Sequence, residues 1–255
     1  MTSSHAHPRP LTSWVKPATV TAVTLWALRR YATILAWFAG IAALIVGVVM
    51  TPVLLRYQPD LQFSIWENFA AGGPSWFSLA LGVMAVKYLP TLVAHGVTPS
   101  PNVLATGMAL ALIALLAGVL VAAGYAVEAR LYERIGMEPT LQGEHAFAVP
   151  SQYVLVIVET AVRSLLFGLT GLLIGLTYYR FGGWLGTALL LVSCALPLSV
   201  GGTLLAQEPG ALGFAWPGIT NATMLGLVLL ALFDTALLWV CTLFGRTINI
   251  KSKPT

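Results

Sequence analysis

Six long apolar runs, at residues 31–55, 76–95, 103–127, 152–178, 184–205 and 221–244, leave this chain few folds to choose from. Each is close to the roughly 20 residues that an α-helix needs to cross a hydrocarbon core about 30 Å thick. Inside lipid the backbone must satisfy its own N–H and C=O groups, so only helices and closed barrels span. The runs do not alternate apolar and polar residues with a period of two, so barrel strands are not indicated. Charge content agrees, since 9% of the 255 residues are charged and 58% are hydrophobic, against roughly 25% charged in a soluble domain. The sequence predicts an all-α polytopic membrane protein with six transmembrane helices in one domain, 17–255, after a mobile tail over 1–16.

Charge sorts across these runs. The segments on one side carry Arg9, Lys16, Arg29, Arg30, Arg180, Arg246, Lys251 and Lys253 with no Asp or Glu. The opposite loops hold Asp60, Glu67, Glu128, Glu133, Glu138, Glu144 and Glu208 beside Arg56, Arg130 and Arg134. Lys and Arg are retained on the cytoplasmic side, so both the N- and C-termini are predicted to be cytoplasmic. The formal charge of +4 therefore points to anionic lipid headgroups and not to nucleic acid. The first apolar run starts too far in, and is too long, for a secretory signal, so no cleavage is expected.

Local signals set expectations for the connections. Pro17 suits a first helical position, and 17–30 reads as an N-terminal interfacial helix, with Trp14 and Trp26 at headgroup depth and Arg29 and Arg30 toward phosphates. The alternative is a plain extension of the first span. Ser64 and Glu67 have capping-box spacing, predicting a short surface helix that Gly72, Gly73 and Pro74 end. The turn His95, Gly96, Val97, Thr98, Pro99, Ser100, Pro101, Asn102 should be tight, because proline lacks a backbone donor and pushes its neighbours out of helical geometry. Residues 128–134 read as a solvated helix end with Glu133 beside Arg130 and Arg134. Residues 136–150 look irregular, and 206–220, with Phe214 and Trp216 among helix breakers, should dip into the interface.

Four ionisable residues fall inside the runs: Lys87, Glu159, Arg163 and Asp234. Such charges demand a partner or water. Glu159 and Arg163, at i and i+4, share a helix face and are expected to pair. Lys87 and Asp234 lie at matching depths, so they are expected to approach each other between helices; otherwise Lys87 snorkels and Asp234 bonds a hydroxyl. Gly168, Gly171 and Gly175, with Gly82, form surfaces suited to close helix packing, within one chain or between two.

Chemistry-bearing motifs are missing. There is no GxxxxGK[ST] phosphate loop, HExxH, GxSxG or CxxC, and His5, His7, His95 and His145 have no metal-site spacing. Cys194 and Cys241 lie in apolar runs and read as packing residues. No catalytic, cofactor-binding or metal-binding residue is assigned, and an enzyme is not expected.

Residues 64–107 (SIWENFAAGGPSWFSLALGVMAVKYLPTLVAHGVTPSPNVLATG), 124–132 (GYAVEARLY) and 171–182 (GLLIGLTYYRFG) resemble permease subunits of actinobacterial ABC exporters of the ABC-2 type. The resemblance implies a multi-pass protein of the bacterial cytoplasmic membrane that works with a second permease copy and separate ABC ATPase subunits. ATP and Mg would be bound by those partners and not by this chain. His95 to Asn102 would be the ATPase-coupling turn, although Pro99 and Ser100 stand where the family commonly has two arginines. Arg29, Arg30, Tyr178, Tyr179 and Arg180 would be secondary cytoplasmic contacts. The cargo would be a small amphiphile, peptide or lipid. Two other readings stay open: a self-contained ion- or proton-coupled carrier or channel using the four intramembrane charges, and a structural subunit of a larger complex.

Overall fold

The computed structural model describes residues 17–50, 52, 56, 64–134, 140, 141, 145–205 and 222–247. The expected tail 1–16 and the loop 206–220 lie outside them. Helix α1 (Pro17–Leu44) continues as a π-helical stretch, Ile45–Met50. Helix α2 (Ile65–Ala85) passes through one 3-10 turn, Val86–Tyr88, into the short α3 (Leu89–Ala94). Then follow α4 (Pro99–Arg134), α5 (Tyr153–Leu205) and α6 (Ala222–Arg246). Among the described residues, five helices are long and apolar enough to cross a membrane: Val20–Val48, Ile65–Ala94, Pro99–Arg134, Tyr153–Ala195 and Leu225–Arg246.

Two boundaries differ from expectation, and one agrees. Residues 17–30 are no separate interfacial element; they run unbroken into the first span as α1. Their Val20 and Val23 pack with Ala105 of α4, and Thr24 donates to the Ala105 carbonyl at 3.3 Å. Gly72, Gly73 and Pro74 do not end a surface helix, because α2 continues through all three, with Pro74 buried inside it. The fourth and fifth runs, Tyr153–Leu205, are two helices joined across a kink between them, as their separation in the sequence predicts, and are labelled α5 together. Gly182 makes the kink with φ 79° and ψ −177°, a backbone conformation that glycine tolerates because it has no Cβ.

Helix α4 is the central post, packed by α1, α2, α5 and α6. Its inward positions are often small, including Ala105, Ala109, Ala114, Ala117 and Gly118, so neighbouring backbones come close without a polar price. The main core joins Tyr31 and Leu35 of α1, Leu81 of α2, Leu110 and Ile113 of α4, Leu166, Leu169 and Leu172 of α5, and Leu230 and Leu237 of α6. Trp37, Leu191 and Trp239 stand exposed on the rim, as suits side chains facing lipid.

The glycine stripe works within the chain. A Cβ on Gly82 of α2 would lie 2.0 Å from the Gly168 carbonyl oxygen of α5, and one on Gly171 would lie 2.1 Å from that of Leu79. Helices α2 and α5 therefore touch backbone to backbone, with dispersion contacts that larger side chains would forbid.

Candidate functional site

At one end of the bundle, the predicted coupling turn is a compact, hydrogen-bonded motif. Helix α3 stops in a Schellman arrangement: Gly96 N–H donates to Val93 O at 2.8 Å and Val97 N–H to Leu92 O at 3.0 Å. Gly96 supplies the required left-handed φ of 83°, and Val97 and Leu92 pack on the same small cluster as Val20 and Val23. His95 and Thr98 are exposed. Pro99 is the first residue of α4 and Pro101 lies in its first turn. The prolines thus begin a helix instead of holding an irregular turn, since the first-turn N–H groups have no intrahelical partner to lose. Asn102 and Pro101 are buried, and Ser100 lies against Gly245 near the end of α6.

The secondary residues gather at this same turn end. Arg30 donates from Nε to the Tyr88 hydroxyl at 3.1 Å, while Arg29 stays exposed beside it on α1. Arg180 donates to the Thr247 hydroxyl, and its guanidinium lies 5.1 and 5.0 Å from the ring centroids of Phe181 and Phe244. Tyr178 and Thr187 hydroxyls meet at 3.1 Å across the Gly182 break, and Tyr179 packs on the main core. One face therefore carries the turn, both α1 arginines, the Gly182 break of α5 and the end of α6.

Of the four intramembrane charges, the structure joins one expected pair and not the other. Arg163 donates to Glu159 at 2.8 Å. Lys87 and Asp234 form no ion pair: Lys87 is exposed on the 3-10 turn, consistent with snorkelling. Asp234 is 2% exposed, and neither carboxylate oxygen has a hydrogen-bond partner among the described residues. The hydroxyl partner considered for it is also not found there.

The opposite end, the loop end, holds a buried polar cluster that the sequence did not reveal. His145 lies between two carboxylates, with Nδ1 3.0 Å from a Glu159 oxygen and Nε2 3.1 Å from a Glu67 oxygen. Its ring stacks on Phe147 at 4.5 Å. The second oxygen of Glu159 accepts from Ala146 N–H at 2.7 Å. The side chains of His145, Glu67 and Glu159 are 7%, 7% and 4% exposed. Burial pulls the His145 imidazole toward its neutral form, but hydrogen bonds and charge from Glu159 and Glu67 outweigh it and hold the group above its ordinary value.

Glu128, expected in a solvated helix end, is also buried here. It accepts from the Ser64 hydroxyl at 2.6 Å and from the Ile65 and Trp66 N–H groups at 2.7 and 2.9 Å. Half of the expected capping box forms, since Ser64 Oγ accepts from Glu67 N–H at 3.1 Å. The other half is replaced: Ser64 N–H donates to Thr140 O, and Glu67 turns to His145. A carboxylate from α4 thus completes the cap of α2, where it also meets the positive end of the helix dipole. Glu133 and Arg130 do form the exposed surface pair, at 3.7 Å.

The partners of His145 are 14 and 78 residues away, and each carboxylate already had a plausible local role. The usable signal was that Glu67, Glu128 and Glu159 all fall within a few turns of span ends on one side. No group of three or more His, Cys, Asp or Glu among the described residues could hold a metal ion.

These features define a polytopic helical membrane protein, with polar groups placed at its two ends and apolar side chains around its girth. The chain matches no protein-family model, no curated protein and no solved structure.

Proposed function

We propose that this chain is the transmembrane permease subunit of an ATP-driven ABC exporter, crossing the cytoplasmic membrane six times with both termini inside. It works with a second permease copy and separate ATPase subunits to move a small amphiphile, peptide or lipid. The turn 95–102 carries the reading. A Schellman stop followed directly by a proline-started helix makes a stiff lever, with His95 and Thr98 presented to solvent. Its outgoing arm is α4, which touches most of the bundle, so a push on the turn moves many helices together. The break at Gly182 supports two crossings within α5, and hence the even count. ATP and Mg chemistry belongs to the partner, because the chain has no phosphate loop of its own.

Purification from native membranes in mild detergent tests the reading. An ATPase subunit should accompany the chain, and Thr98→Arg together with Gly96→Val should release it. Transport by the chain alone in liposomes, without any ATPase, would refute the proposal. That result would favour a self-contained carrier, for which the buried Asp234, without a hydrogen-bond partner among the described residues, is the supporting observation.

A further inference from the structure

At the loop end, one residue from a connecting segment bridges two helices. His145 touches Glu67 of α2 with one ring nitrogen and Glu159 of α5 with the other. A carboxylate only accepts, so both contacts are hydrogen bonds only when both ring nitrogens carry protons. The neutral imidazole can donate to one glutamate and must turn a lone pair toward the other. We propose that His145 is the pin of a proton-operated clasp, which holds residues 145–148 onto α2 and α5 while the imidazole is doubly protonated and releases them when that proton leaves.

The surroundings make the two states unequal. Around the ring stand Glu67 from α2 and Glu159 from α5, with Arg163 on Glu159 and Phe147 stacked on the ring's face; Tyr125 of α4 packs on Phe147, and Glu128 of α4 lies beyond Glu67. Glu128 is occupied by Ser64, Ile65 and Trp66. The inner group then holds two carboxylates against two cations, His145 and Arg163. Loss of the imidazolium charge leaves a buried excess of negative charge, which is costly in a site this closed. Relief comes by letting water in as the segment that carries His145 lifts from the two helices.

Below that segment lies an apolar seal. Phe147 is 4% exposed and packs with Val121, Tyr125 and Val156, the last fully buried. Lifting Phe147 uncovers Val156. The linkage has a definite direction. The imidazolium is favoured in the folded chain, so the clasp is whole below the ordinary imidazole value of about 6.5. It is lost as pH climbs through the raised value of the folded state. The device does not depend on the transport reading.

The test uses the full chain in lipid nanodiscs with Val156→Cys, after Cys194→Ala and Cys241→Ala. The maleimide labelling rate is divided, at each pH, by that of the same chain bearing His145→Gln, which cancels the thiol's own ionisation. The ratio should be well below one at pH 6 and rise at least tenfold toward one by pH 9. Glu67→Gln should move the midpoint down by about one pH unit, because one of the two charges favouring the imidazolium is gone. A ratio that does not change with pH, or a midpoint unmoved by Glu67→Gln, overturns the clasp. With Val156 intact, the Ala146 amide resonance should titrate together with the His145 ring; an Ala146 amide that ignores the ring's titration also overturns it.

Discussion

Replacing Gly171 by alanine places one methyl group where α2 and α5 meet backbone to backbone. Its Cβ would sit 2.1 Å from the Leu79 carbonyl oxygen, against 3.4 Å or more in ordinary contact, so the helices must part by about 1.3 Å. The obstacle is a carbonyl oxygen inside a helix and not the end of a flexible side chain, so relief requires moving a whole element. A gap of 0.5–1 Å already forfeits a quarter to a half of a contact's dispersion energy. Overpacking of this kind costs about 2–3 kcal/mol. Gly168, one turn earlier on the same stripe, is the control: a Cβ there meets nothing closer than 3.5 Å. Both substitutions gain the same helix propensity, roughly 1 kcal/mol, which cancels when the two are compared. Gly168→Ala should therefore match or exceed the parent in stability, with Gly171→Ala about 2–3 kcal/mol below Gly168→Ala. Reversible unfolding in mixed micelles, followed by circular dichroism, measures the difference. Equal stability of the two variants would refute the close crossing.

Other outcomes follow from the two ends. Glu128→Ala removes the acceptor for three donors at the start of α2 and should cost about 3 kcal/mol, with fast hydrogen exchange at the Ile65 and Trp66 amides. Glu128→Gln should cost about 1 kcal/mol, because its amide oxygen still accepts both N–H groups while its amide nitrogen can donate to Ser64. Cysteines at Thr98 and Arg29 should be labelled by an impermeant maleimide from one face of the membrane and a cysteine at Ala148 from the other; labelling of all three from one face would break the assignment of the two ends.

Much of the fold was legible in the apolar pattern. A run of about 20 apolar residues has one low-energy solution in lipid, so the helices could be read directly. Glu159 and Arg163 were equally legible, because i and i+4 positions on a helix are neighbours whatever surrounds them. Helix boundaries were harder. Gly72, Gly73 and Pro74 look like terminators, yet α2 passes through them because its packing against α5 supplies what their propensities lack. The α1 segment 17–30 is apolar enough to lie on a membrane and ends in two cations, but contact with Ala105 draws it into the bundle.

The ion pairing of the remaining charges was decided in three dimensions. Matching distance from the span ends says nothing about azimuth, so Lys87 and Asp234 do not pair despite it. Glu67 and Glu128 showed the reverse: each had an adequate local role, as a cap and as a helix end, and the folded chain gave them other partners. What the residue order dictates here is whatever depends on near neighbours and on solvent: helix periodicity, span length, caps and the stop at Gly96. Which carboxylate meets which histidine depends on how long helices rotate and pack, a choice set by the sum of many small contacts across α2, α4 and α5, and only the assembled bundle expresses it.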